Sequence, residues 1–322
     1  MGAKSTKPTT ARKLETGSKT GVLNLSARKL TVFPAKLLAG GGFARLRTLD
    51  LSKNKLKYLD GLDLSVLKNL KSLNLAGNLL RSAGRALSGL RALQTLDLSD
   101  NRLATLPALP AAGALKAVNV SGNALVLLDF PPDVPDADAK QHAKQHDNSS
   151  GTCSNTSNTS NTSSLAEPPP PALFSKLKEW DASRNRIVGI ATAFFRRCAR
   201  LERLDVSRNQ LEAVAGDVAL LEKLQHLDVS HNRIGALPPQ LGLCKALQAV
   251  LATHNQLSSV PEAVLDNGML SRLRLEGNPG MTKDTFLALE GASEFMERRT
   301  ARIETQMHGG LHDTDRSVCG MD

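Results

Sequence analysis

The 322-residue chain carries 41 Lys and Arg against 31 Asp and Glu, a net charge of +10, and 41% of its residues are hydrophobic. That composition excludes a wholly disordered chain, and the absence of any apolar run of bilayer length excludes a membrane-spanning helix. Four scattered cysteines, Cys153, Cys198, Cys244 and Cys319, do not form the clusters of a disulfide framework; with no secretory h-region at the N-terminus, the expectation is a reducing, cytosolic setting.

The charge excess is uneven. Residues 1–60 hold thirteen Lys and Arg against Glu15, Asp50 and Asp60, and the rest of the chain balances at 28 of each sign. The chain opens Met1-Gly2-Ala3-Lys4-Ser5-Thr6, which matches the M-G-x-x-x-[ST] pattern for N-myristoylation of Gly2. Lys4, Lys7, Arg12, Lys13 and Lys19 follow. One myristoyl chain binds a membrane only marginally, and basic residues near an anionic leaflet supply the second signal it needs. Residues 1–19 therefore read as a lipidation and basic segment. It includes a short capping helix from Thr9 to Thr16, with Thr10 as N-cap and Gly17 as terminator.

Beyond it the chain repeats itself. Leu93-Gln-Thr-Leu-Asp-Leu-Ser-Asp-Asn-Arg-Leu103 places Leu96 and Leu98 on one strand face and Thr95, Asp97 and Ser99 on the other. The frame recurs around Asn54, Asn78, Asn101, Asn123, Asn185, Asn209, Asn232, Asn255 and Asn278, at spacings of 24, 23, 22, 62, 24, 23, 23 and 23. A degenerate first copy puts Arg28 in the asparagine slot. This is the leucine-rich-repeat pattern, in which one coil cannot bury its leucine face and must stack on neighbours. The fold class is α/β: a curved solenoid of about ten coils over residues 20–280, with a parallel concave sheet and convex turns or short helices. Prolines at Phe33-Pro34, Leu106-Pro107, Leu237-Pro238 and Val260-Pro261 favour extended or 3₁₀-type returns.

The single 62-residue spacing exposes an insert at about 131–171. Its tandem Asn-Thr-Ser triplets and proline run read as disordered low-complexity sequence. From residue 281 to 305 an apolar stripe of Phe286, Leu289, Ala292, Phe295 and Met296 predicts one C-terminal capping helix, with Gly291 as a weak point inside it. Residues 306–322 read as a disordered tail.

Catalytic signals are poor. Gly17-Ser18-Lys19-Thr20 lacks the glycine spacing of a phosphate loop. His142 and His146 fall in the insert and are too few for a metal site. No enzyme activity, metal or cofactor is expected. The concave positions offer an acidic column that includes Asp181, Asp205 and Asp228, beside a basic column of Arg184, Arg208, His231 and His254. These residues are the candidate docking stripe for a protein partner. Without Tyr or Trp on that face, nucleic acid is not an expected partner. Trp180 falls in a core leucine slot. The chain is expected to be monomeric.

The opening Met1-Gly2, then Leu14-Glu-Thr-Gly-Ser-Lys-Thr-Gly-Val-Leu-Asn-Leu and Leu30-Thr-Val-Phe-Pro, resembles the leucine-rich repeat-containing protein 57 family. The closing Leu275-Glu-Gly-Asn, Leu289-Glu-Gly and Phe295-Met-Glu-Arg-Arg-Thr-Ala is similar to that family's C-terminal end. The resemblance implies a non-catalytic protein held at a cytosolic membrane face by a myristoyl group on Gly2. Ala3, where the family typically has Asn, and the insert are departures. Two functional readings follow: a membrane-tethered interaction scaffold, or a soluble regulatory subunit that holds an enzyme such as a phosphatase on its concave face.

Overall fold

In each repeat only three residues extend, and the middle one turns inward. A computed structural model describes residues 10–39, 42–110, 114–130, 174–308 and 317–321. In it the strands β1 (Val22–Asn24), β2 (Thr48–Asp50), β3 (Ser72–Asn74), β4 (Thr95–Asp97) and β5 (Ala117–Asn119) lie in parallel order. The order continues, past β6 (Leu127–Leu128), through β7 (Glu179–Asp181) and, past β8 (Gly189–Ile190), through β9 (Arg203–Asp205), β10 (His226–Asp228), β11 (Ala249–Leu251) and β12 (Arg272–Arg274). The central residues pair in one register, Leu23, Leu49, Leu73, Leu96, Val118, Trp180, Leu204, Leu227, Val250 and Leu273. All ten are buried, so the sheet turns one face to the leucine core and the other to solvent.

The repeat asparagine ties each coil to the one before. Asn78 donates through Nδ2 to the carbonyls of Leu75 (2.8 Å) and Leu51 (3.0 Å), while its Oδ1 accepts from the Leu56 N–H (3.1 Å). Asn101, Asn123, Asn185, Asn209, Asn232 and Asn255 repeat the pattern. These bonds satisfy backbone groups that the bend after each strand would strand in the core. Arg28 has no such amide to offer. Asn54 of the next coil compensates, its Oδ1 accepting from both Arg28 N–H (2.9 Å) and Leu30 N–H (3.0 Å).

The insert does not break this ladder. β5 pairs directly with β7, and Asn185 donates to the Val120 carbonyl across 65 residues at the same 3.0 Å seen elsewhere across 26. Phe130 and Phe174, the last and first described residues on either side, pack with ring centroids 4.9 Å apart and planes tilted by 36°. Trp180 and Phe194 pack edge-on to each other at 5.1 Å and join Phe130. The few aromatics are thus concentrated where a long excursion leaves and returns to the core. The insert itself, 131–171, lies outside the described residues, as do Gly2, Lys4 and Lys7.

The ends differ in detail from the sequence expectations. Helix α1 spans Thr10–Thr20 and passes through Gly17, whose missing Cβ would sit 3.0 Å from the Leu23 side chain. Close packing against β1, not termination, explains that glycine; the left-handed turn comes at Gly21 (φ 74°). On the convex side the proline-led returns are short turns, Ala35–Leu37 after Pro34 and Pro239–Leu243 after Pro238, with two single-layer helices, α2 (Thr192–Arg197) and α3 (Glu262–Leu265). At the C-terminus the expected single helix is two: α4 (Lys283–Leu287) and α5 (Ala292–His308), separated at Gly291 (φ 79°). Part of the expected tail is ordered. Ser317–Met321 returns to the last coil, where Leu275 N–H donates to the Cys319 carbonyl (2.9 Å) and Cys319 is fully buried.

Candidate binding surface

The acidic column is first a structural device. In β1 to β5, β7, β9 and β10 the third residue is Asp or Asn, and its side-chain oxygen accepts the backbone N–H two residues on. Asp181 takes Ser183, Asp205 takes Ser207 and Asp228 takes Ser230, each at 2.9 Å. Asn74 and Asn119 make the same bond, so the slot needs an acceptor, not a charge. At Asp205 the charge is costly. Burial raises the Asp205 carboxyl above its ordinary value, bonds from Ser207 oppose the rise, and the flanking Asp228 and Asp181 add to it. Three carboxylates on adjacent strands are therefore a feature the repeat does not require. With Glu179 and Arg203 on the first strand positions, Asp181 and Asp205 line a concave groove of about 460 Å³.

The basic column has an unexpected backbone origin. Arg184, Arg208, His231 and His254 all adopt φ between 54° and 56°. They stand immediately before the repeat asparagines, where the chain must turn left-handed to swing the amide inward. Ala27, Lys53 and Asp100 occupy the same slot with positive φ, as do Gly77, Gly122 and Gly277. Side chains in this slot stack from coil to coil. Arg184 Nη2 meets Asp100 Oδ1 at 3.3 Å, two coils away, passing over Gly122. A Cβ at Gly122 would lie 2.3 Å from that same oxygen, so glycine opens the path. Both partners are more than half exposed, and such surface pairs add little stability. His231 and His254 stack at 4.3 Å with rings 14° apart. Burial, then Arg208 and His254, hold the His231 imidazole below its ordinary value, with Asp228 opposing. The structure thus brings Arg208, His231, His254 and Asp228 together and ties Arg184 to Asp100.

The N-terminal cations are partly committed within the fold. Lys13 Nζ donates to the Asn24 carbonyl at 2.9 Å, and Lys19 pairs with Glu15 at 3.0 Å. Arg12 lies in α1.

One charged surface was missed by reading the sequence in blocks. Lys116, Lys176, Lys178, Arg200 and Lys223 converge with Glu202 on the edge where the chain enters the strands, around a groove of about 380 Å³. The signal was available: these residues recur one or three positions before a strand, and positions at one register stack on adjoining coils.

Among described residues no group of three or more His, Cys, Asp or Glu could hold a metal ion, and no helix is long and apolar enough to cross a membrane.

Residues 44–103 and 175–234 match the leucine rich repeat family. The chain is 39% identical over 114 residues to leucine-rich repeat and calponin homology domain-containing protein 1 of Mus musculus, and 36% identical over 114 residues to that of Homo sapiens. Those matches cover 35% of this chain and only 16% of either relative. Among solved structures, the functional domain of InlJ from Listeria monocytogenes aligns with a TM-score of 0.57 and 19% identity over 84% of this chain and 47% of that one. The TLR13–ssRNA13 complex aligns with a TM-score of 0.60 and 20% identity over 83% and 34%. At those identities the likeness shows the solenoid fold alone.

Proposed function

We propose that this leucine-rich-repeat protein is a non-enzymatic scaffold that holds a protein partner on its concave face and is tethered to a cytosolic membrane surface through N-myristoyl-Gly2. Leucine-rich-repeat domains generally mediate protein–protein interaction, and their curved sheets provide an extended surface for it. The observation that carries the reading is the charge on that sheet. Asp181, Asp205 and Asp228 form a carboxylate row where the repeat needs only an acceptor, beside a column holding Arg208, His231 and His254. Complementary charge of this kind sets partner choice and encounter rate. The tether rests on Met1-Gly2-Ala3-Lys4-Ser5-Thr6 and the basic residues after it, and accords with the resemblance to the leucine-rich repeat-containing protein 57 family.

Each half has its own test. Expression with a labelled myristate analogue should label the wild type and not Gly2→Ala; an unlabelled wild type rejects the anchor. For the concave face, full-length bait should lose its partner on Arg208→Glu or Asp205→Lys while Lys29→Glu keeps it. A soluble regulatory subunit, holding an enzyme such as a phosphatase, would share that pattern but bind equally with Gly2→Ala and stay off membranes.

A further inference from the structure

The repeat does not ask for lysine at the edge where the chain enters the strands. The backbone ladder extends one residue beyond the strands there: Lys116 N–H donates to Gln94 O, Lys178 N–H to Lys116 O, Glu202 N–H to Lys178 O and Gln225 N–H to Glu202 O, each at 2.8 Å. Gln94 and Gln225 serve this ladder without charge, so Lys116 and Lys178 are not needed to build it. Three residues before β7, β9 and β10 stand Lys176, Arg200 and Lys223, all exposed. Five cations therefore surround one groove of about 380 Å³ with a single carboxylate, Glu202. Lys178 Nζ pairs with Glu202 Oε1 at 2.8 Å; Lys116, Lys176, Arg200 and Lys223 make no ion pair with a described residue.

Bringing like charges together on a surface lowers stability, and an anion in the groove would offset it. Several features narrow the anion. The volume suits one compact ligand and not a polymer. Four of the five cations are lysines, which meet phosphate oxygens as point charges. A phosphate monoester carries about two negative charges against one for a carboxylate, so it neutralises this density in the least space. No aromatic side chain lines the groove, so a nucleobase would find nothing to stack on. We propose that this groove is a binding site for a compact anion bearing two or more phosphate monoesters, as a soluble polyphosphate or as a lipid headgroup. The proposal is independent of the anchor at Gly2.

The test is calorimetric titration of the full chain with inositol hexakisphosphate at physiological salt, beside flotation with phosphatidylcholine vesicles containing phosphatidylinositol bisphosphate or, at matched surface charge, phosphatidylserine. Saturable one-to-one binding is expected, weakened about tenfold or more by Lys176→Ala/Lys223→Ala, since hydrogen bonds between charged groups are the strong ones. Arg184→Ala should leave it unchanged. These lysines are exposed and their removal relieves repulsion, so a thermal melt of the double variant should be no lower than that of the wild type. Preference for bisphosphate over phosphatidylserine vesicles assigns a headgroup; soluble binding without vesicle preference assigns a free polyphosphate. Absence of saturable binding, equal loss with Arg184→Ala, or affinity for single-stranded RNA that grows with its length would overturn the site.

Discussion

Asn185 shows how much one side chain can hold. Its amide donates to Ala182 O and Val120 O, each at 3.0 Å, and accepts from Leu125 N–H at 3.0 Å. Asn185→Ala leaves those buried groups unsatisfied, at about 1–3 kcal/mol for each one stranded. The expected loss is therefore on the order of 3 kcal/mol in denaturant unfolding; a change below about 0.5 kcal/mol would contradict the ladder's role. Position 208 carries a different constraint. At φ 55° a β-branched side chain is strained, so Arg208→Val should cost about 1–2 kcal/mol while Arg208→Gly stays within about 0.5 kcal/mol of wild type. Asp205 adds a pH signature. Its carboxyl titrates above the ordinary range in the folded protein, so the stability it contributes is present at acid pH and is lost as pH rises through the folded value. Asp205→Asn keeps the acceptor for Ser207 N–H, as Asn74 and Asn119 do. It should therefore match or exceed wild-type stability at pH 7, and that difference should close as pH falls through the raised folded-state value toward the ordinary carboxylate range.

At the scale of elements, the described residues on either side of the insert meet directly. β5 pairs with β7 without a gap, and the Phe130–Phe174 contact brings the two chain ends together. Replacing residues 132–172 by about five Gly and Ser should keep the fold and raise stability by roughly 1–2 kcal/mol through reduced loop-closure entropy. Unfolding of that variant, followed by the emission of the single Trp180, would show instead that the insert supplies core contacts. The strands and the direct β5–β7 pairing were legible in advance, because leucines two apart mark a face and the asparagine spacing marks a period. Other features were not. The left-handed slot before each asparagine holds glycine at Gly77, Gly122 and Gly277 and other residues elsewhere, so glycine alone does not reveal it. Gly17 reads as a helix stop, although its reason for being small is Leu23, in the following strand. The acidic column reads as a binding stripe, whereas each carboxylate also closes a backbone bond within its own coil.

For the whole molecule, charge is sorted by register and not by distance along the chain. Counting by sequence locates the +10 excess in residues 1–60, yet the stacked coils also gather Lys116, Lys178 and Arg200, from a segment of balanced charge, around one groove. On the proposed reading the protein carries a lipid and basic residues at its N-terminal end and a partner surface along its sheet. Its attachment should depend on both signals: raising salt screens the cations over a Debye length of about 10 Å at 0.1 M and less above it, but leaves the acyl chain in place. The most direct measurement is the membrane-bound fraction of the full chain and of Gly2→Ala in cells that supply myristate, across a salt series. The account predicts a wild type that sediments with membranes, is partly released as salt rises, and is almost wholly soluble as Gly2→Ala. Equal membrane fractions for the two proteins at every salt concentration would contradict it.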